Sequence, residues 1–320
     1  SLIQGLLVPL CTYAILAVSL NLTVGILGEL SLGHAGFMCI GAFTSAFFSK
    51  VMENSAMPSG LRFFFAILIG AFFAGVFGLL IGIPVLRLKG DYLAIVTLAF
   101  GEIIKNLVNI MFVGRDENGF HISFTNTMDL NMSEDGDVII KGAQGITGTP
   151  HDSNFTIGIV LLLVTLFIVL NLIHSRDGRA IMAIRDNTIA AESVGIHITK
   201  YKLMAFSISA ALAGVAGVLY AHNLSTLTAL PKNFGYNMSI MILVFVVLGG
   251  IGNIRGSIIA SVILTLLPEL LRGLNDYRML IYSIVLIVMM LFNWAPKCIE
   301  WREKVAAGFK SKKSVKKEAE

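Results

Sequence analysis

The residues whose types and spacing could do chemistry are concentrated in a charged stretch between positions 175 and 202. Good helix formers run from 179 to 192, and apolar residues recur every three or four positions, which predicts one amphipathic helix. Such a helix either docks in a cleft of a partner protein or rests on a bilayer surface. Its apolar face comprises Ile181, Ile184, Thr188, Ala191 and Val194. The candidate contact residues are Arg179, Arg185, Asp186, Ala191, Glu192 and Gly195.

Two glycine-rich stretches are the second candidate site, because they interrupt apolar runs near each end of the chain. The first surrounds residues 25–41 and the second residues 249–256. Broken apolar segments in corresponding halves indicate a central pathway, whereas glycines that only allow close helix packing are the alternative. The candidate pathway residues are Asn21, Ser31, His34, Gly36, Gly249, Gly250 and Asn253. By itself, His34 is more typical of a hydrogen-bonded interior histidine than of a ligand. The pairs Gly78/Gly82, Ala210/Gly214 and Ala213/Gly217 are typical of helix packing.

Other kinds of site are missing from the sequence. It contains no GxxxxGK[ST] phosphate loop, so any ATP hydrolysis must belong to another chain. No Cys/His cluster has the spacing of a zinc site, and Cys11, Cys39 and Cys298 are best explained as small buried residues. Glu102 and Lys105 are spaced to pair with each other, as a membrane would demand. No isolated carboxylate indicates a proton relay.

The composition shows what must position these residues. Hydrophobic residues make up 56% of the 320 and charged residues only 14%, whereas soluble domains carry roughly 25% charged residues. A membrane span needs about 20 apolar residues. The sequence therefore predicts an all-α polytopic membrane protein. The predicted long spans are 3–26, 62–85, 91–113, 155–174, 203–222 and 279–294, and the glycine-broken regions are 31–48 and 238–267.

The distribution of lysine and arginine orients these segments. Residues 175–202 and the tail 295–320 are basic, whereas the long connection 114–154 carries mostly acidic residues. The positive-inside rule places the first two in the cytoplasm and the connection outside. A single span over 238–267 would put the tail outside, so this region is predicted to be two short segments with a turn at 249–256. We therefore expect about nine membrane segments, some of them short, in a domain covering 1–294.

Four stretches of the chain carry a family resemblance. They are LNLTVGI at 20–26 with LSLGHAGF at 30–37, LRLKGDYLAIVTLAFGEI at 86–103, SRDGRA at 175–180 leading through AAESVGI at 190–196 to YKL at 201–203, and LGGIGNIRG at 248–256. Together they resemble the LivM-type permease subunits of branched-chain amino-acid ABC importers. The third stretch is the most specific.

The resemblance implies an ABC importer permease architecture, with 1–294 as the transmembrane permease domain, in a bacterial inner membrane. Such permeases are not enzymes. They pair with a second, related permease, bind two cytoplasmic ATPase subunits that hold ATP and Mg, and receive substrate from an external binding protein. The stretch 175–202 would be the coupling element, with Arg185, Asp186 and Glu192 near an ATPase. The solute would be a branched-chain or other small neutral or hydrophobic L-amino acid.

Two departures accompany the resemblance, and three alternatives stay open. The family has Gly-Gly-Pro-x-Gly-Ile where this chain has GAQGI at 142–146. Because the sequence begins with Ser1, we expect that an earlier segment, the family's first helix, is missing. A urea or short-amide ABC permease shares these stretches, an ion-coupled secondary transporter would need no ATPase, and a structural membrane subunit would have no pathway of its own. The basic tail after a membrane span indicates topology rather than nucleic-acid binding.

Overall fold

A computed structural model describes residues 2–53, 57–88, 90–116, 119–130, 136–271 and 277–294 of the chain. They are mostly helical, and the chain divides into two units, residues 1–262 and residues 263–320. The basic tail and Cys298 lie outside the described residues. The helices are α1 Leu2–Asn21, continued by a π-helical turn Leu22–Leu27, α2 His34–Val51, α3 Ser59–Val85, α4 Asp91–Ile110, α5 Phe155–His174, α6 Arg176–Asp186, α7 Thr188–Ser193, α8 Ile198–Ala221, α9 Pro231–Phe234, α10 Tyr236–Gly249, α11 Ile254–Leu270 and α12 Arg278–Trp294.

Among the described residues, six helical segments are long and apolar enough to cross a membrane. They are Gly5–Leu27, Ser59–Val85, Asp91–Ile110, Phe155–His174, Ile198–Ala221 and Pro231–Gly249. The first five cover predicted long spans, which confirms those spans apart from their exact ends. The other predicted segments coincide with α2, α11 and α12, which are helices of 18, 17 and 17 residues. The predicted turn at 249–256 is also present, but it is shorter, because α10 ends at Gly249 and α11 begins at Ile254.

Helix α8 is the centre of the unit formed by residues 1–262, and small residues let its neighbours approach. A Cβ atom built on Gly78 of α3 would lie 2.6 Å from Ala210 Cβ, and one on Gly41 of α2 would lie 2.3 Å from Gly214 O. Glycine at these positions lets the neighbouring helices come this close to α8. The prediction that these small residues serve helix packing is confirmed for Gly78, Ala210 and Gly214.

The outer surface of α3 is apolar, as a lipid-facing helix requires. Phe64, Phe65, Phe72 and Phe73 are exposed, whereas Phe63 is buried against the rest of the protein. Helix α5 likewise exposes most of its length. The exposed phenylalanines of α3 are therefore available for contact with lipid.

The connection between α4 and α5 corrects the prediction of an all-α fold. It forms an antiparallel sheet in the order β2–β1–β3, with β1 Phe112–Asp116, β2 Gly119–Ser123 and β3 Asp137–Lys141. A second ladder pairs β4 Ile146–Thr147 with β5 Thr226–Leu227. These backbone groups lie outside any helix and must find partners. Strands of two to five residues carry too little alternation to stand out in the sequence.

Candidate functional site

The charged stretch between α5 and α8 folds as two short helices, so the prediction of one continuous helix is wrong. Helix α6 ends at Asp186, and α7 begins at Thr188. Between them Asn187 has an extended backbone, and its Oδ1 accepts a hydrogen bond from Ala190 N at 3.1 Å. Asparagine is favoured at this capping position. Asn187 therefore begins a new helix, although the helix formers on both sides of it favoured one continuous helix.

The break also changes which side chains share a face. Ile181, Ile184 and Ala191 are buried as predicted, but Thr188 and Val194 are exposed. A helical period that restarts at residue 187 no longer keeps residues of α7 in line with those of α6. The prediction that Thr188 and Val194 belong to one apolar face with the other three residues is therefore wrong.

Helix α6 packs one face against the transmembrane helices and the π-helical turn. Ile181 is fully buried and belongs to an apolar cluster with Leu22, Leu27 and Ala205. A Cβ on Gly178 would lie 2.1 Å from the carbonyl oxygen of Leu172, so α6 starts in direct contact with the end of α5. One face of α6 is thus packed against these elements.

Helix α7, in contrast, is mostly open to its surroundings. The exposed fractions of Ile189 and Val194 are 81% and 76%, and Glu192 is also exposed. Only Ala191 of this helix is buried among the residues that the structure describes. A shallow pocket of about 480 Å³ lies beside it, lined by Glu192, Gly195, Ile196, His197, Ile198 and Thr199. Exposed apolar side chains next to a carboxylate and an open pocket can receive a surface of a partner protein.

The charged side chains of the two helices have different neighbours. Arg179 donates to the carbonyl oxygen of His174 at 3.0 Å, within its own segment. Arg185 donates through Nε and Nη2 to Asp186 Oδ1 and through Nη1 to the carbonyl oxygen of Gly25 at 3.0 Å. Arg185 thus connects α6 with the first glycine-rich stretch. Gly195 has a φ of +85°, a left-handed conformation that favours glycine.

The two glycine-rich stretches meet, although they are more than 200 residues apart in the sequence. Asn21 is fully buried; its Oδ1 accepts from Gly252 N at 2.9 Å, and its Nδ2 donates to Ser257 Oγ at 2.8 Å. A Cβ on Gly25 would lie 2.4 Å from Gly252 N. We call this contact of Asn21, Gly25, Gly252 and Ser257 the glycine junction.

Three of the candidate pathway residues lie at the turn between α10 and α11, which also contains Gly252 of the glycine junction. Gly249 approaches α11 so closely that a Cβ would lie 2.4 Å from Ser257 N, and Gly250 has a φ of +94°. Asn253 is exposed, and its Oδ1 accepts from Gly256 N at 3.2 Å. These residues shape the reversal between α10 and α11.

The other candidate pathway residues lie in the first stretch, near α4. His34 Nε2 is 2.8 Å from Ser19 Oγ, which makes it an interior, hydrogen-bonded histidine. Ser31 is fully buried, and its hydroxyl has no hydrogen-bond partner within the described parts of the chain. A Cβ on Gly36 would lie 2.7 Å from Gly101 Cα, so α2 and α4 touch there.

Several polar residues of this buried region were not recognised in the sequence. Thr23 Oγ1 donates to Ser209 Oγ at 2.8 Å, and Ser209 in turn donates to the carbonyl oxygen of Ser19. Together with the Ser19–His34 contact, they link α1, α2 and α8. Hydroxyl groups inside apolar runs are the available signal, because each must find a partner in the membrane.

Two ion pairs involve residues of the helices. Lys105 and Glu102 form the ion pair that their spacing predicts, and Glu102 Oε1 also accepts from Tyr236 N at 2.7 Å. Glu29 and Lys202 form a second pair, which ties the first glycine-rich stretch to the start of α8. For Glu102 and Lys105, which lie inside the membrane-spanning α4, such pairing lowers the energetic cost of burying a charge in the membrane.

Metal binding finds no support in the described ranges, where no group of three or more His, Cys, Asp or Glu side chains is placed to hold an ion. Cys11 and Cys39 are buried among apolar residues, as predicted.

Comparison with known proteins gives a consistent result. The family described as "Branched-chain amino acid transport system / permease component" matches residues 2–292. The chain is 36% identical over 294 residues to the high-affinity branched-chain amino acid transport system permease protein LivM of Salmonella typhimurium (strain LT2), covering 89% of this chain and 67% of the relative. LivM of Escherichia coli (strain K12) gives the same identity and coverage.

More distant relatives extend the comparison. The permease protein LivH of Salmonella typhimurium is 24% identical over 287 residues, which cover 88% of this chain and 89% of that relative. No solved structure was found to match the chain.

Proposed function

Since this chain belongs to the family of permease components of branched-chain amino-acid transport systems, we propose that it lines a path for small neutral or hydrophobic L-amino acids across a bacterial inner membrane. The chain is a multi-pass membrane protein and the permease component of a branched-chain amino-acid ABC transport system, not its catalytic subunit. The proposal adds the substrate path, the partners and the orientation.

The proposed assembly contains a second permease, two cytoplasmic ATPase subunits and an external amino-acid-binding protein. ATP and Mg are held by the ATPase subunits. This chain is similar to LivH as well as to LivM, which supports a pair of related permeases. The two permease subunits of the transporter would then share one fold. Both permeases contact the lipid bilayer, and the path runs between them.

The proposed topology has nine membrane segments, formed by α1–α5, α8 and α10–α12, with the C-terminal tail in the cytoplasm. Residues 175–202 and 295–320 are basic and the connection 114–154 is acidic, which supports this orientation. The reversal between α10 and α11 supports two short segments in that region.

The observation that carries the proposal is the division of the charged stretch into an embedded α6 and an exposed α7. We assign α7 and the residues around Glu192 to the contact with an ATPase subunit, and α6 to the link with the permease. Closure of the ATPases on ATP would move α7, and α6 would pass that movement to the membrane helices as a rigid body. The glycine-rich stretches then line or gate the path, with Asn21, Ser31, His34 and Asn253 as its candidate polar groups.

Uptake by the whole transporter in proteoliposomes tests this function. The chain is reconstituted with its second permease and ATPases, the binding protein is added outside, and radioactive leucine is measured inside. We expect accumulation only when ATP is enclosed and both ATPase subunits are present. Accumulation without ATP would instead support an ion-coupled transporter. ATP-driven uptake of urea but not of leucine would support a short-amide permease.

A further inference from the structure

Arg185 is the point where α6 touches the interrupted part of the first membrane segment. Its Nη1 lies 3.0 Å from the carbonyl oxygen of Gly25, inside the π-helical turn that follows α1. The aliphatic part of the same side chain lies against Gly28, where a Cβ would be 2.6 Å from Arg185 Cγ. Gly28 has a φ of +80°, so glycine both permits this turn and leaves space for the arginine.

The carbonyl that Arg185 holds belongs to the glycine junction. The backbones of Gly25 and Gly252 are in close contact. Asn21 stabilises this contact through hydrogen bonds with Gly252 N and Ser257 Oγ. Gly252 has a φ of +82° and lies in the turn that separates α10 from α11. A displacement of Gly25 therefore acts directly on the turn between two short membrane segments.

We propose that Arg185 is a positioning residue that transmits movement of α6 to the glycine junction, and through it to the reversal between α10 and α11. This inference rests on the proposed function, because it assumes that an ATPase moves the charged stretch. It changes the role of Arg185 from a contact with the ATPase to a contact within the permease. Glu192 and Ile189 of α7 are left as the groups that meet the ATPase.

The chemistry of the guanidinium group suits this role. One edge of the group, Nε and Nη2, binds Asp186 Oδ1 at 3.0 and 2.9 Å, while Nη1 binds Gly25 O. Asp186 thereby fixes the orientation of the group that holds the carbonyl. A lysine ammonium has no such planar fork and cannot hold both partners in a fixed geometry.

Arg185→Met tests the inference in the complete, reconstituted transporter. Methionine keeps an unbranched chain against Gly28 but cannot donate to Gly25. We expect ATP hydrolysis to continue while leucine uptake per ATP falls at least tenfold. Arg176→Met is the matched control, because Arg176 is an exposed arginine at the start of the same helix. Leucine uptake per ATP in Arg176→Met should stay within twofold of the wild type. An unchanged leucine uptake per ATP in Arg185→Met would overturn the inference.

A spectroscopic measurement separates transmission from simple loss of structure. Nitroxide labels are attached at Asp177 of α6 and at Ile251 in the turn between α10 and α11, both exposed, after the native cysteines have been replaced by alanine. In the wild-type complex, ATP should change the spectra of both labels. In Arg185→Met the change at 177 should remain and the change at 251 should disappear. A change at 251 that persists in the variant contradicts the inference.

The two proposals fail differently. If the wild-type complex does not couple uptake to ATP at all, the proposed function fails. If the wild type is coupled and Arg185→Met is equally coupled, only the transmission through Arg185 fails.

Discussion

Helices α6 and α7 are neighbours in the chain and are separated by one residue, yet they face different surroundings. Ile181 of α6 is fully buried among residues of the π-helical turn and α8, whereas Ile189 of α7 is four-fifths exposed. Both helices begin with a capping side chain, Ser175 for α6 and Asn187 for α7. The difference therefore arises from what each helix packs against. One charged stretch thus holds a helix that packs on the membrane helices and a helix that is exposed, and we propose that the second is a docking face.

The largest expected effect comes from α6. Ile181→Ala should lower the free energy of unfolding by roughly 2–5 kcal/mol, because it leaves a cavity in a fully buried cluster. The control Ile189→Ala should change it by less than about 0.5 kcal/mol, since that side chain is exposed. Thermal unfolding of both variants in detergent measures the difference. Equal effects would remove the distinction between α6 and α7.

Charge reversal on α7, the proposed docking face, is expected to have an intermediate effect. Glu192→Lys should weaken stimulation of ATP hydrolysis by substrate-loaded binding protein about tenfold, equivalent to about 1.4 kcal/mol. The subunit should remain folded and inserted, because Glu192 is exposed. ATPase assays and thermal unfolding of the same preparation provide the test. Normal stimulation together with normal coupled uptake would mean that α7 is not the docking face.

The smallest expected effect concerns the boundary between the helices. Asn187→Ala removes the side-chain oxygen that accepts from Ala190 N, so it should destabilise α7 by about 1 kcal/mol. Hydrogen exchange should become faster at the amides of α7 while those of α6 stay protected. Faster exchange in α6 to the same extent would show that the two helices open as one unit.

The elements that the sequence predicts well depend on local information. The long spans follow from length and apolarity, and the pair of Glu102 and Lys105 follows from their spacing on one helix. The burial of His34 with a hydrogen-bond partner was also predictable, because an isolated histidine in an apolar run needs one.

The remaining features depend on contacts between distant parts of the chain. No local pattern pairs Asn21 with Gly252 and Ser257, and none pairs β4 with β5 across α5 and α8. The break at Asn187 had a local signal, since asparagine is a preferred cap, but the helix formers on either side outweighed it. The contact of Arg185 with Gly25 likewise appears only once both segments are folded.

Cysteine cross-linking measures the central claim, that α7 meets an ATPase subunit while α6 faces the permease itself. Single cysteines replace Ile189 and, as the exposed control on α6, Asp177, in a complex whose native cysteines have been changed to alanine. A short bifunctional reagent should join position 189 to an ATPase subunit, with a yield that changes when ATP binds, and should leave position 177 unlinked. Cross-linking of 177 but not of 189, or of neither in an actively transporting complex, would contradict the account.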